Sequence, residues 1–200
     1  MNKLSQLTNE CLASMPMLAD TICYTTDIMG EIFESYYDKV QNRVQQFLNE
    51  KPELKYEIDE RNSERLTISV FPLKRANGRK QRPCLSNQVN IYSSLIFYNQ
   101  SRRKTINEFD IEFGYAMSND TGNIIYFSLA VGDMNPDISA FYEIATDIKK
   151  DLIEKWDIQI EDRFIELHIT PDQNLTDEII EGCFNDFMTH ILNPLLTNLK

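Results

Sequence analysis

Three carboxylates alternate with apolar residues in the middle of the chain. Glu108, Asp110 and Glu112 are separated by Phe109 and Ile111, so all three acids project to one face of an extended strand. Such a row of oxygen ligands can bind a divalent cation or supply an acid/base pair for hydrolysis. The same alternation is commoner on the solvated face of a half-buried sheet. We therefore favour the sheet-face interpretation and keep a metal-dependent hydrolase as the weaker alternative.

The histidines and cysteines have spacings that favour structural roles. Neither His168 nor His190 lies in a metal-ligand motif, although Glu166 and His168 would share one face of a strand. Cys183 precedes His190 by two helical turns, which indicates helix packing rather than a nucleophile and its base. The four cysteines lie far apart, which favours free thiols over a disulfide framework. We predict no metal site and no cofactor.

Motifs for covalent or phosphoryl chemistry are missing from the sequence. It contains no G-x-S-x-G, no G-x-G-x-x-G and no Walker-type phosphate loop. Glu53-Leu54-Lys55 matches half of a metal-dependent nuclease motif, but a three-residue match without the preceding acid has little weight. The sequence therefore assigns no catalytic residue, and it favours a protein that is not an enzyme.

The charge is divided sharply along the chain, whose net charge is −11. Residues 1–73 carry 7 basic and 12 acidic side chains, residues 74–104 carry 8 basic and none acidic, and residues 105–200 carry 5 basic and 19 acidic. The basic residues crowd two predicted loops, an arrangement compatible with phosphate contacts. The candidate phosphate-binding residues are Arg75, Arg79, Lys80, Arg82, Arg102, Arg103 and Lys104. We favour solubility and pairing with the chain's own acids, because a negative chain repels a polyanion.

The acidic excess of the C-terminal half includes a row on one predicted helix. A helix over residues 136–156 places acids at i, i+4, i+8 and i+11, opposite its apolar stripe. These acids are Glu143, Asp147, Asp151 and Glu154. Such a row can steer and hold a basic protein surface. An ordinary solvated helix face has the same pattern, and that alternative stays open.

Hydrophobic periodicity predicts three helices. A helical stripe runs over residues 27–49 and is ended by Lys51-Pro52. The helix at 136–156 is predicted to begin at Asn135-Pro136-Asp137, and a last helix is bent or stopped by Pro194.

Period-two patterns predict the strands. They occur at residues 54–58, 66–70, 89–97, 109–117 and 165–169, and an apolar run over residues 124–131 predicts a further strand. A turn at residues 61–63 is predicted to join the first two as a hairpin. We expect an α+β fold: an antiparallel meander of about five to six strands flanked by amphipathic helices, in the order α-β-β-β-β-β-α-β-α.

Length and composition favour one α+β domain over residues 25–200, preceded by an N-terminal helical segment over residues 1–24. That segment could pack on its own domain or on a second copy, so a homo-oligomer stays open. Its first residues form no continuous apolar run, so we expect a cytoplasmic protein without a membrane partner.

These observations predict a non-catalytic acidic interaction protein, of the inhibitor, immunity or chaperone type, that binds a basic protein partner. The architecture and charge resemble those of small acidic secretion chaperones and toxin-neutralising proteins. The alternative is a nucleic-acid or phosphate-binding protein, catalytic or not, that acts through the basic segment 74–104.

Overall fold

A computed structural model of the chain describes residues 27, 30–72, 86–100, 108–118, 122–148, 150–169 and 176–199. The predicted α+β class is confirmed, because an antiparallel sheet is flanked by helices in roughly the expected order. Within these residues, no helix is long and apolar enough to cross a bilayer. The predicted segment 1–24 and all seven candidate phosphate-binding residues lie outside the described residues.

The described strands form one antiparallel sheet. They are β1 (Tyr56–Ile58), β2 (Glu64–Pro72), β3 (Ser86–Asn99), β4 (Glu108–Ser118), β5 (Gly122–Val131), β6 (Asp157–Glu161) and β7 (Phe164–Ile169). The order across the sheet is β1-β3-β4-β5-β7-β6, and β2 also pairs with β3. The run from β2 to β5 is the predicted meander.

The described helices lie before, between and after the strands along the chain. They are α1 (residues 30–50), α2 (Ile138–Asp147), α3 (Lys150–Lys155), α4 (Asp177–Phe187) and α5 (Asn193–Asn198), with a π-helical segment at Met188–Leu192. Thr176 caps α4, because its hydroxyl accepts a hydrogen bond from the amide of Ile179. Pro194 was predicted to bend or stop the last helix, but helical residues continue past it, because Pro194 lies in the first turn of α5. A proline is tolerated in a first turn, and the wider π turn comes directly before it.

One face of the sheet carries the core. The ring of Tyr36 on α1 stacks on Phe184 of α4 with centroids 4.2 Å apart, and it meets Phe127 of β5 edge-on at 5.8 Å. The buried strand residues of this core include Leu95, Phe97, Phe109, Ile111, Phe113, Ile125, Phe127, Leu129, Ile165, Leu167 and Ile169. Because side chains alternate along a strand, the residues between these form the opposite face.

The predicted hairpin between residues 54–58 and 66–70 is wrong. β1 and β2 run in the same direction along one edge of β3, β1 opposite residues 97–99 and β2 opposite residues 86–94. The residues between them still turn, since the amides of Asn62 and Ser63 both donate to the carbonyl of Asp59, and Asn62 Nδ2 donates to Asp59 Oδ2 at 2.6 Å. The amide of Ile96 on β3 donates to Ser63 Oγ at 2.9 Å, so a side chain supplies the acceptor there.

The helix predicted over residues 136–156 is two helices. α2 ends at Asp147, and Ile148 turns to an extended conformation with ψ of 116°. α3 then begins at Lys150. The break interrupts the regular spacing on which the predicted acidic row depends.

The start of α2 also differs from the prediction. The side chain of Asn135 accepts hydrogen bonds from the amide of Asp137 at 2.9 Å and from the hydroxyl of Tyr56 at 3.1 Å. Tyr56 also lies 2.8 Å from Asp137 Oδ2, as a hydrogen-bond donor. These polar residues therefore make a buried turn, and helical residues begin only at Ile138.

Candidate binding face

The strand register collects carboxylates on the sheet face opposite the core. Directly paired residues in an antiparallel sheet share a face. Ser94 on β3 lies opposite both Glu64 of β2 and Glu112 of β4, and Ser128 on β5 lies opposite both Glu112 and Glu166 of β7. Traced in this way, the face carries eight acids, which we name the acidic face: Glu57, Glu64, Glu108, Asp110, Glu112, Asp157, Glu161 and Glu166.

No Lys or Arg occupies a paired position on the acidic face in the described strands. Two nearby arginines bind acids elsewhere: Arg65 lies 2.8 Å from Asp38 of α1, and Arg163 lies 2.6 Å from Asp133. The carboxylates of the acidic face therefore repel one another without a basic strand partner to offset the repulsion.

Glu112 lies at the centre of the acidic face. Burial raises its pKa to about 7, and the charges of Asp110, Glu166 and Glu64 act in the same direction. The hydroxyl of Tyr126 donates a hydrogen bond to Glu112 Oε1, which opposes that rise. Glu112 thus changes charge close to neutral pH.

The two other acids of β4 are also partly withdrawn from water. Burial raises the pKa of Asp110, although Ser94 Oγ donates a hydrogen bond to Asp110 Oδ1 at 2.8 Å and opposes the change. Burial likewise raises the pKa of Glu108, and the neighbouring charge of Asp110 adds to the effect. The predicted sharing of one face by Glu108, Asp110 and Glu112 is confirmed.

The periphery of the acidic face is open. Glu64, Asp157 and Glu161 are exposed, and the side chain of Asp157 has 61% of its surface accessible. The acids at the periphery are therefore more accessible to a partner than those at the centre.

His168 lies between two acids of this face. Its Nε2 is 2.7 Å from Oε1 of Glu166, and its Nδ1 is 3.8 Å from Oδ2 of Asp157. The expectation that Glu166 and His168 share a face is confirmed, since both project from β7 on the acidic side. Among the described residues, no group of three or more His, Cys, Asp or Glu side chains could hold a metal ion.

The other sequence candidates lie away from this face. Cys183 is buried in α4, where burial raises the pKa of its thiol and keeps it in the unreactive, protonated form. His190 belongs to the π-helical segment and lines a cavity of about 290 Å³ together with Asp147.

The predicted acidic row does not form one helical ridge. Glu143 and Asp147 are exposed on α2, whereas Glu154 is exposed on α3, beyond the break at Ile148. Asp151 is in α3 as well. The charge and exposure of Glu143, Asp147 and Glu154 remain arguments for partner binding, but the continuous spacing of the predicted row is lost.

Sequence reasoning found three members of the acidic face and missed its extent. Strand order and register bring in acids more than forty residues away in sequence, and neither can be read from one strand's alternation. A usable signal was present in Asp157, Gln159 and Glu161, which alternate with isoleucines as the acids of β4 alternate with apolar residues.

Four cavities lined by described residues lie away from Glu112. They lie between α1 and α4, between α1 and β1, along α2, and between α2 and α5, and of the acidic face only Glu57 lines one of these four. An open face suits recognition of a macromolecule better than enclosure of a small substrate.

Comparison of the chain with protein-family models, with curated proteins and with solved structures gave no match.

Proposed function

We propose that this chain is a non-catalytic interaction protein, of the inhibitor, immunity or chaperone type, that binds a basic protein partner through the acidic face. One observation carries the proposal: eight carboxylates share a sheet face on which no described paired position holds a Lys or Arg. A basic partner supplies the counter-charge that the face lacks, and it steers the encounter of the two proteins.

The fold supports this role because the face is built on a rigid frame. Helices α1 and α4 cover the core on the opposite side of the sheet. Phe33 of α1 packs on Phe113, and Phe184 of α4 packs on Phe127. The carboxylates are therefore held in position before a partner arrives. Preorganisation of this kind reduces the entropic cost of association.

The protonation of Glu112 supports the same partner chemistry. With a pKa raised to about 7, the carboxyl is partly neutral at physiological pH. A guanidinium or ammonium placed beside Glu112 favours its charged form. A basic partner thus lowers the free-energy cost of ionising Glu112, whereas an acidic partner would raise that cost.

A pull-down followed by kinetics tests the proposal. The immobilised full chain is exposed to lysate of its native source, and proteins released by salt are identified and purified. We expect a protein of net positive charge, whose association rate at low salt falls about tenfold or more when Glu64 and Glu161 are both changed to Lys. The matched control is Glu34→Lys with Glu50→Lys, which makes the same change of charge at exposed positions on α1.

Other outcomes separate the alternatives. If both double variants lost the same fraction of the association rate, net charge alone would explain the effect, and the acidic face would not be the binding site. Loss only on reversal of Glu143 and Asp147 would assign binding to α2 instead. Recovery of nucleic acid that depends on Arg79 and Arg102 would overturn the proposal in favour of the phosphate-binding alternative.

A further inference from the structure

Strand β6 forms one edge of the sheet. It pairs with β7 and is the last strand in the sheet order. Among the described residues, the backbone of residues 157–161 makes no hydrogen bond outside the β6–β7 ladder. Every second amide and carbonyl of an edge strand points away from its neighbour, so β6 offers a row of backbone groups to another extended chain.

The side chains of β6 alternate in chemistry. Asp157, Gln159 and Glu161 are exposed on the acidic side. On the other side Ile160 has 42% of its surface exposed, and Ile153 of the adjoining helix α3 has 54% exposed. Within the described part of the chain, the edge therefore combines backbone without a second strand partner, two carboxylates four residues apart on one side, and exposed apolar surface on the reverse side.

A second copy of this chain is a poor occupant of the edge. Antiparallel pairing of the full strand with its own copy sets Asp157 opposite Glu161, twice, around a central pair of Gln159 residues. Parallel pairing sets each acid opposite itself. Like charges directly opposite each other destabilise a strand pair, so both full-length arrangements are disfavoured.

We propose that the β6 edge binds an extended segment of a basic partner as an additional strand, with Lys or Arg residues at alternate positions facing Asp157 and Glu161. Backbone hydrogen bonds supply affinity and the alternate carboxylates supply selectivity, as in other cases of strand addition. The same acids that prevent self-pairing select a basic strand. The inference rests on the proposed function for the charge of the partner, and it adds the geometry of docking.

Synthetic peptides on the intact chain test the docking geometry. The first peptide alternates Lys with Val and Thr (Lys-Val-Lys-Thr-Lys-Val-Lys). The second has the same residues in the blocked order Lys-Lys-Lys-Lys-Val-Val-Thr, and the third is the first peptide with alternate backbone amides methylated. We expect the first to bind about tenfold more tightly than either control, because only it can pair its backbone and align its charges. Bound peptide should also slow hydrogen exchange at alternate amides of residues 157–161.

A charge variant of the edge completes the test. Glu161→Lys should abolish the preference for the alternating peptide, while Glu34→Lys on α1, with the same change of net charge, should keep it. Equal binding of all three peptides without slower exchange in β6 would overturn strand addition and leave charge-driven binding to the acidic face intact. Failure of every peptide to bind would count against both strand addition and the proposed function.

Discussion

The hydroxyl of Tyr126 on β5 donates a hydrogen bond to Oε1 of Glu112 on β4, two residues diagonal to its direct partner. Tyr126 is itself buried, and burial together with the nearby charge of Glu112 raises the pKa of its phenol. The pair places a permanent donor against a carboxyl that burial makes hard to ionise. Tyr126 therefore limits, without cancelling, the cost of holding Glu112 charged inside the sheet face.

Replacement of Glu112 should change how stability depends on pH. Its pKa is raised from 4.5 to about 7 on folding, so the folded chain binds more protons than the unfolded chain between these values. The contribution of Glu112 to stability is complete below pH 4.5 and is lost as pH rises through 7, by about 3 kcal/mol at most. Glu112→Gln removes this loss. Urea denaturation should show the variant gaining stability relative to the parent chain between pH 5 and pH 8.

Two further variants make this prediction specific. Glu178→Gln, at an exposed position on α4, should leave the pH profile of stability unchanged. Tyr126→Phe removes the hydrogen bond that lowers the pKa of Glu112, so the loss of stability should extend to higher pH. Parallel pH profiles for the parent chain and Glu112→Gln would contradict the assignment of this titration to Glu112.

The acidic face shows which part of the fold the sequence could predict. The alternation around Glu112 predicts its strand and its face, because side-chain direction is a local property with a period of two residues. The proximity of Glu64 and Glu166 depends on strand order and register, which turns and long-range packing decide. Hence six of the seven described strands were predicted, β6 was missed, and the assembled face could not be predicted.

Two of the incorrect local predictions have a shared cause. Residues 61–63 carry turn signals, and Asn135-Pro136-Asp137 carries helix-start signals, but each polar residue type serves several kinds of turn. In the structure Ser63 bonds to β3, and Asn135 bonds to Tyr56. In both places a hydrogen bond to a residue distant in the sequence determines the conformation, and the local sequence does not reveal that partner.

Gly114 should tolerate no side chain. It lies opposite Tyr92 in the β3–β4 ladder, and a Cβ at this position would lie 2.4 Å from the carbonyl oxygen of Ile91. Backbone must then move, so Gly114→Ala should cost about 2 kcal/mol or more. In contrast, among the described residues a Cβ at Gly182 within α4 meets only the ring of Trp156, at 4.0 Å. Gly182→Ala should stabilise the protein by about 0.5–1 kcal/mol, because alanine favours helix.

If this geometry holds, the melting temperature should fall in Gly114→Ala and rise in Gly182→Ala, relative to the parent chain. Circular dichroism before the transition should show that both variants keep the native secondary structure at low temperature. A melting temperature for Gly114→Ala equal to that of the parent chain would mean that β3 does not approach Gly114 this closely.

Adjacent serines on β3 provide a test of what burial of a hydroxyl costs. Ser93 projects to the core face opposite Phe113 and is fully buried, and its Oγ has no hydrogen-bond partner among the described residues. Ser94 projects to the acidic face, where its Oγ donates to Asp110 at 2.8 Å. An unsatisfied buried hydroxyl loses its hydration without compensation, whereas a hydroxyl bound to a carboxylate contributes to stability.

The two alanine substitutions should therefore change stability in opposite directions. Ser93→Ala should raise the free energy of unfolding by about 1 kcal/mol, and Ser94→Ala should lower it by a similar amount. Because Ser94 lowers the pKa of Asp110, its loss should also move the titration of that carboxyl to higher pH. Denaturant unfolding at pH 7 measures both free energies, and carboxyl chemical shifts in NMR follow Asp110. Destabilisation by Ser93→Ala would show that its hydroxyl has a partner in solution, since removal of an unpaired donor cannot weaken the core in this way.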